Sequence, residues 1–181
     1  MYVKAFKRHE RNCGLDELDI KHIQQGDIQA FDRLYDRMAE PALRYAAAIV
    51  GNDGLAADVV QDTFIRIYRN INRFDPSKPF EPWFYRILVN ECRRALRWRR
   101  RLLPTDTLPE EPAPQDDYQA LYEAIGELDL SLREPLVLRY LMGYQDQEAA
   151  QILGLSLTTM KGRVRRARHR LRGFLEKGDV I

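Results

Sequence analysis

The chain has 181 residues, enough for one medium domain or two small ones. Hydrophobic residues are 45% and charged residues 31%, which excludes a disordered chain, and no run approaches the roughly 20 apolar residues of a membrane span. The net charge of +2 says nothing about nucleic acid by itself, but its distribution does.

Residues 1–14 are basic but carry no apolar segment of the kind a secretion signal needs, and they read as an extension without an assigned role. His9 and Cys13 lie one helical turn apart and lack two further ligands for zinc. Cys13 and Cys92, far apart in the chain, do not make a disulfide framework and fit a reducing cytoplasm.

Helical spacing dominates the chain after this extension, and period-2 alternation is nearly absent. A first helix is expected over residues 17–25, stopped by Gly26. A second covers residues 28–50, with Phe31, Leu34, Tyr35, Met38, Leu43 and Ala46 available for a buried face and Pro41 as a candidate kink. Gly51-Asn52-Asp53-Gly54 ends it.

The third helix is expected over residues 55–72. Val60, Phe64, Ile67 and Ile71 recur at spacings of 4, 3 and 4, giving one apolar stripe. Asp58, Gln61, Asp62 and Ile65 share a different face, acidic with one apolar residue. Asp58 suits the positive end of a helix dipole, and the face as a whole suits a partner helix bearing arginines.

The fourth helix is expected over residues 82–101, opened by Pro82. Ile87, Leu88, Cys92, Ala95 and Leu96 suit burial, whereas Arg86, Asn90, Arg93 and Arg97 form a basic face. Arginines there can neutralise phosphates, and an asparagine can hydrogen-bond a base edge. Before it, the loop from Phe74 to Phe80 is stiffened by Pro76 and Pro79 and flanked by aromatics. That combination suits single-stranded bases, although Trp83, Phe84 and Tyr85 equally suit a core.

Residues 102–117 hold Pro104, Pro109, Pro112 and Pro114 among acids, a composition that opposes helix and strand and reads as a flexible linker. It separates an N-terminal domain, residues 15–101, from a C-terminal domain, residues 118–177. Two arginine-rich blocks, 93–101 and 161–172, lie on either side of this acidic spacer, as two separate polyanion contacts would.

The C-terminal half is expected to hold helices over residues 118–128, 132–142, 146–153 and 156–174. Ala150 is small where two helices cross, Gly154 permits a sharp turn, and Ser156 is a good N-cap. Leu157, Met160, Val164, Ala167 and Leu171 form the buried stripe of the last helix, with Thr158, Thr159, Lys161, Gly162, Arg163 and Arg166 off it. A cationic, capped second helix after a small-residue turn is what a major-groove reader requires. The fold class is therefore all-α: two small helical domains joined by a flexible, acidic, Pro-rich linker, the C-terminal one a helix-turn-helix.

Over residues 27–172 the chain resembles bacterial sigma-70-type factors of the extracytoplasmic-function group. The carriers are AADVVQDTF (56–64), FEPWFYRILVN (80–90) with the arginines after it, and AAQILGLSLTTMKGRVRRARHRL (149–171), in that order. The resemblance implies a subunit that binds core RNA polymerase and directs promoter-specific initiation. Asp58, Gln61, Asp62 and Ile65 would meet the clamp helices of the largest polymerase subunit, and the beta flap is a further partner. Lys78, Phe80, Trp83, Arg86, Asn90, Arg93, Arg94 and Arg97 would face the melted −10 element. Thr158, Thr159, Lys161, Gly162, Arg163 and Arg166 would meet −35 DNA, and the linker would thread the polymerase channels.

The resemblance further implies a cytoplasmic protein held by an anti-sigma factor, with no cofactor, small-molecule substrate or membrane insertion. The chain departs from the family pattern at three places. Arg94 stands where an acid or amide is frequent, Gly162 where serine is common, and Gln145-Asp146 where a serine and an aromatic are usual, leaving Asp146 as a candidate cap. An autonomous helix-turn-helix regulator would bind a palindromic site without polymerase. An enzyme such as a recombinase finds no supporting constellation: His9, His22 and His169 are scattered and no Gly-rich phosphate loop is present.

Overall fold

The computed structural model describes residues 17–102 and 119–178. The extension 1–14 and, apart from Leu102, the linker 102–117 lie outside the described residues. Among those described there is no strand.

The order is α1 (Glu17–Gln24), α2 (Ile28–Val50), α3 (Asp53–Asn70) with a 3-10 turn (Ile71–Arg73), and α4 (Phe80–Leu102). After the linker come α5 (Gln119–Gly126), α6 (Leu130–Leu136) running into a π turn (Val137–Leu141), α7 (Asp146–Leu153) and α8 (Leu157–Gly178). Boundaries follow local chemistry. Asp27 accepts the Ala30 N–H and starts α2, Gly51 in the left-handed conformation (φ 67°) ends it, and Asn52 accepts the Leu55 N–H to start α3. α3 thus begins two residues earlier than expected, because Asn52 rather than Gly54 sets its start. Leu102, assigned to the linker on sequence grounds, still belongs to α4.

The N-terminal core is an aromatic stack between α3 and α4 over α2. Val60, Phe64, Ile67 and Ile71 are all buried, as their spacing predicted. Phe64 meets Phe84 edge-on at 5.5 Å, and Phe84 meets Tyr85 at 5.4 Å. α1 closes one end through Ile20 and Ile23, and Gln24 donates to the carbonyls of Ile71 and Phe74.

In the C-terminal half α7 and α8 form the helix-turn-helix. Gly154 (φ 68°) turns the chain, Ala149 and Ala150 are buried at the crossing, and Ser156 accepts the Thr159 N–H at the start of α8. Met160, Val164 and Ala167 are buried beneath it. The start of α7 corrects the expected cap: Glu148 reaches back to accept the Gln145 N–H at 2.7 Å, while Asp146 lies inside the helix and pairs with Arg139.

Three expected core residues are exposed: Tyr35 (48%), Leu43 (42%) and Leu157 (40%). Tyr35 and Leu43 sit at the edge of the α2 stripe, where α3 covers only one side. Leu157 is the first residue of α8, ahead of the turn that α7 covers.

The two halves pack together, which composition and spacing did not foretell. Arg93 on α4 grips Glu134 on α6 through Nε and Nη2 at 2.7 and 2.6 Å, and Glu134 is only 2% exposed. Arg133 donates to the Ile49 carbonyl at the end of α2, and the Tyr85 and Tyr144 rings meet at 5.3 Å.

Candidate nucleic-acid interface and docking face

On α3, Asp58, Gln61, Asp62 and Ile65 are all exposed, because the opposite side of the helix carries the buried stripe. Beside them, between α2 and α3, runs an apolar groove of about 1000 Å³ whose lining includes Phe31, Tyr35, Leu43, Ile65 and Tyr68. Tyr35 and Leu43, which looked like core in the sequence, therefore belong to this open groove. Asp62 is not idle: it pairs with Arg94 on α4 at 2.5 Å.

On α4, Arg86, Asn90, Arg94 and Arg97 are exposed, while Arg93 is half-buried against Glu134. Hydrogen bonding to that carboxylate is the main cause that raises the Arg93 pKa, so the guanidinium is firmly charged. Arg86 donates to the Gln151 carbonyl of α7 at 2.9 Å. Two of the expected −10 contacts, Arg86 and Arg93, are thus engaged by the C-terminal half in this arrangement. Asn90 and Arg97 have no such partner among the described residues.

The loop before α4 corrects the sequence reading. Phe80 is only 6% exposed and Phe74 only 7%, their rings edge-on at 5.5 Å. These aromatics close the base of the loop instead of offering a stacking surface, since burying two phenyl rings outweighs exposing them. Phe80 is therefore a core residue and not an open platform for a base. Trp83, tilted on Phe74 at 4.9 Å, stays half-buried. The loop tip is polar: Asp75 accepts from the Ser77 N–H and hydroxyl, which lowers its pKa, and Lys78 pairs with it at 3.5 Å.

On α8, Thr158, Lys161 and Arg166 are exposed, and Thr159, Gly162 and Arg163 are half-buried. The Thr159 hydroxyl bonds Ser156 at 2.8 Å, so it serves the cap as well. A Cβ at Gly162 would meet nothing within 4 Å, so glycine there is not required by packing.

Cys92 is free and buried, and desolvation pushes its thiol pKa up, away from nucleophilic chemistry. Among the described residues no cluster of His, Cys, Asp or Glu could hold a metal, and no helix is long and apolar enough to cross a membrane.

Sequence reasoning missed Glu91, Glu134, Arg66 and Trp98. Trp98 is 61% exposed and continues the Asn90 and Arg94 face at spacings of 4, which was a legible signal. Glu91 and Glu134 are only 3% and 2% exposed, and each is paired with arginine from another helix. Nothing in their local sequence marks a buried acid.

Residues 34–102 match the family model of sigma-70 region 2, and residues 118–171 match that of sigma-70 region 4. The RNA polymerase sigma factor CnrH of Cupriavidus metallidurans is 32% identical over 170 residues, 83% of this chain and 89% of its own length. The chain belongs to the sigma-70 family, in its extracytoplasmic-function group. The extracytoplasmic-function sigma factor SigM of Mycobacterium tuberculosis is 33% identical, with 96% of this chain and 91% of its own length covered. Among solved structures, CnrH in complex with the cytosolic domain of CnrY superposes with a TM-score of 0.73 at 30% identity, covering 90% of this chain and 97% of CnrH. The sigma factor RpoE in complex with the anti-sigma factor NepR from Bartonella quintana gives 0.65 at 29% identity, covering 78% and 98%. This sigma factor directs promoter-specific initiation by RNA polymerase.

Proposed function

We propose that the chain performs this task through three separate surfaces: α3 docks core polymerase, α4 holds the −10 element, and α8 reads the −35 element. The observation that carries the proposal is the segregation of charge among exposed side chains. On α3 the exposed carboxylates Asp58 and Asp62 precede the exposed Arg66 and Arg69, α4 exposes arginines, and lysine and arginine line the outer side of a capped α8. On this reading residues 15–101 and 118–177 act as distinct modules joined through 102–117. The clamp helices of the largest polymerase subunit lie along Asp58, Gln61, Asp62 and Ile65, with apolar side chains entering the adjacent groove. Asn90, Arg94, Arg97 and the accessible part of Trp83 meet melted DNA, joined by Lys78 from the loop.

The elements at −10 and −35 are about 25 base pairs apart, roughly 85 Å along B-DNA. A domain of 100 residues has a radius of gyration of about 13 Å. The two readers therefore part before both engage DNA, which also frees Arg86 and Arg93. The packed arrangement is a resting state of the kind an anti-sigma protein would hold in the cytoplasm, as NepR is bound to its own sigma factor. No catalytic step is assigned to the chain.

Run-off transcription with purified core polymerase on genomic fragments tests the whole proposal: the added chain should create new, discrete start sites. Asp62→Arg should abolish pull-down of core polymerase while leaving helicity intact, because Asp62 makes only an exposed pair, which contributes at most about 1 kcal/mol. Unchanged pull-down removes α3 from the docking role. Arg163→Ala should weaken −35-dependent transcription by about 1–3 kcal/mol if the residue meets a base edge. Wild-type activity in that variant rules it out as a reader.

A further inference from the structure

Arg94 is a departure from the family pattern, and its surroundings give that departure a role. Its guanidinium has two carboxylate partners of different character. Nε pairs with Glu91 at 2.8 Å, and Glu91, with a side chain only 3% exposed, also pairs with Arg66 at 2.8 Å. Nη2 pairs with Asp62 at 2.5 Å, and both of those side chains are about half exposed, 54% and 51%. One partner is a buried charge. The other is a member of the docking face.

A cavity of about 290 Å³ opens at this junction of α3 and α4, lined by Asp62, Ile65, Arg66, Arg69, Asn70 and Arg94. Three of its six lining side chains are guanidinium groups, and Asp62 is the only acid among them. Arg69 has no ion-pair partner among the described residues. A small cleft walled by arginines and filled at its edge by a carboxylate has the chemistry of an anion site with an internal occupant.

We propose that Arg66, Arg69 and Arg94 form a phosphate-binding cleft for single-stranded DNA, which Asp62 occupies until a docking partner takes that carboxylate away. The proposal rests on the docking role assigned to α3. The buried Glu91 charge, 2.8 Å from Nε, holds the Arg94 guanidinium at this junction, so loss of Asp62 leaves the Nη edge unpaired and available to a backbone phosphate. The docking partner and Arg94 then compete for the Asp62 carboxylate, so polymerase binding raises the affinity of α4 for the melted strand. An exposed pair is weak, so the effect is a several-fold gain in binding and not an all-or-none switch.

The test uses the full chain without polymerase and a labelled single-stranded DNA 12-mer of mixed sequence. A phosphate contact needs no particular base. Asp62→Asn should tighten binding about threefold and steepen the slope of log affinity against log salt by about 0.7, the value for one additional phosphate contact on a single strand. Asp36→Asn, which removes an exposed α2 carboxylate and changes net charge equally, should tighten it less than about 1.5-fold. Arg94→Gln should erase the gain, so that the Asp62→Asn, Arg94→Gln double variant binds as Arg94→Gln alone does.

Equal effects of Asp62→Asn and Asp36→Asn, or a gain that persists without Arg94, overturn the proposal. Pull-down of core polymerase by Asp62→Arg reads the docking role separately. A preserved pull-down with a positive coupling cycle removes the docking partner but keeps the cleft, and a lost pull-down with no coupling removes the cleft but keeps docking.

Discussion

Phe84→Ala should lower the stability of the chain by about 3–5 kcal/mol, the usual cost of truncating a fully buried aromatic. Phe84 is 0% exposed and joins three neighbours, with ring centroids at 5.5 Å from Phe64, 5.4 Å from Tyr85 and 6.2 Å from Phe80. Those contacts tie α4 to α3 and to the base of the preceding loop. Alanine leaves a void between helices that can collapse only partially. For a chain of this size the midpoint of thermal unfolding should fall by roughly 2–4 °C per kcal/mol, or about 6–20 °C in total. A melt followed by circular dichroism checks it. A shift below about 2 °C would mean that the aromatic stack is not the core. Because Arg86, Asn90 and Arg94 ride on the outer side of the same helix, promoter opening should decline along with stability.

The second large effect belongs to the seam between the halves. Arg93→Ala removes both hydrogen bonds from Glu134, a carboxylate that is only 2% exposed. Stranding a buried charge costs about 3–5 kcal/mol. The chain has a cheaper way out than unfolding. If the C-terminal half lifts from α4, Glu134 regains water and only the seam is lost, including the Tyr85–Tyr144 ring contact and the Arg86 bond to the Gln151 carbonyl. The expected result is a larger radius of gyration in small-angle scattering, with thermal unfolding resolved into two transitions. Glu134→Gln, which keeps a hydrogen-bond acceptor and removes the charge, should shift the same observables less. A scattering profile identical to wild type for Arg93→Ala would refute the idea that this ion pair holds the halves together.

Both predictions depend on residues whose roles differ in legibility. The stripe of Val60, Phe64 and Ile67 on α3, continued by Ile71 in the turn after it, and the exposed face of Asp58, Gln61, Asp62 and Ile65 could be read from spacing alone, because a helix of 3.6 residues per turn allows only one such division. The turn at Gly154 and the cap at Ser156 were equally plain, since few residues tolerate a left-handed φ or satisfy free N–H groups. The reading failed where one residue type suits two environments. Phe80 was assigned to DNA and lies in the core, whereas Tyr35 and Leu43 were assigned to the core and line an open groove. An aromatic or leucine at a helix edge is buried only if another element happens to cover it, and periodicity carries no information about that.

The linear order of amino acids therefore determined the all-α class, the helices and most of their ends, which polar sides of α3, α4 and α8 face outward, and family membership. Each of these depends on spacing within about two turns or on a local motif. Only the folded arrangement decided that Arg93 closes on Glu134, 41 residues away, that Asp62 holds Arg94 across 32, and that Glu91 is buried between two arginines. A charged side chain carries no mark of its partner, because ion pairing depends on distance in space and on lost contact with water, and both exist only after the helices have packed.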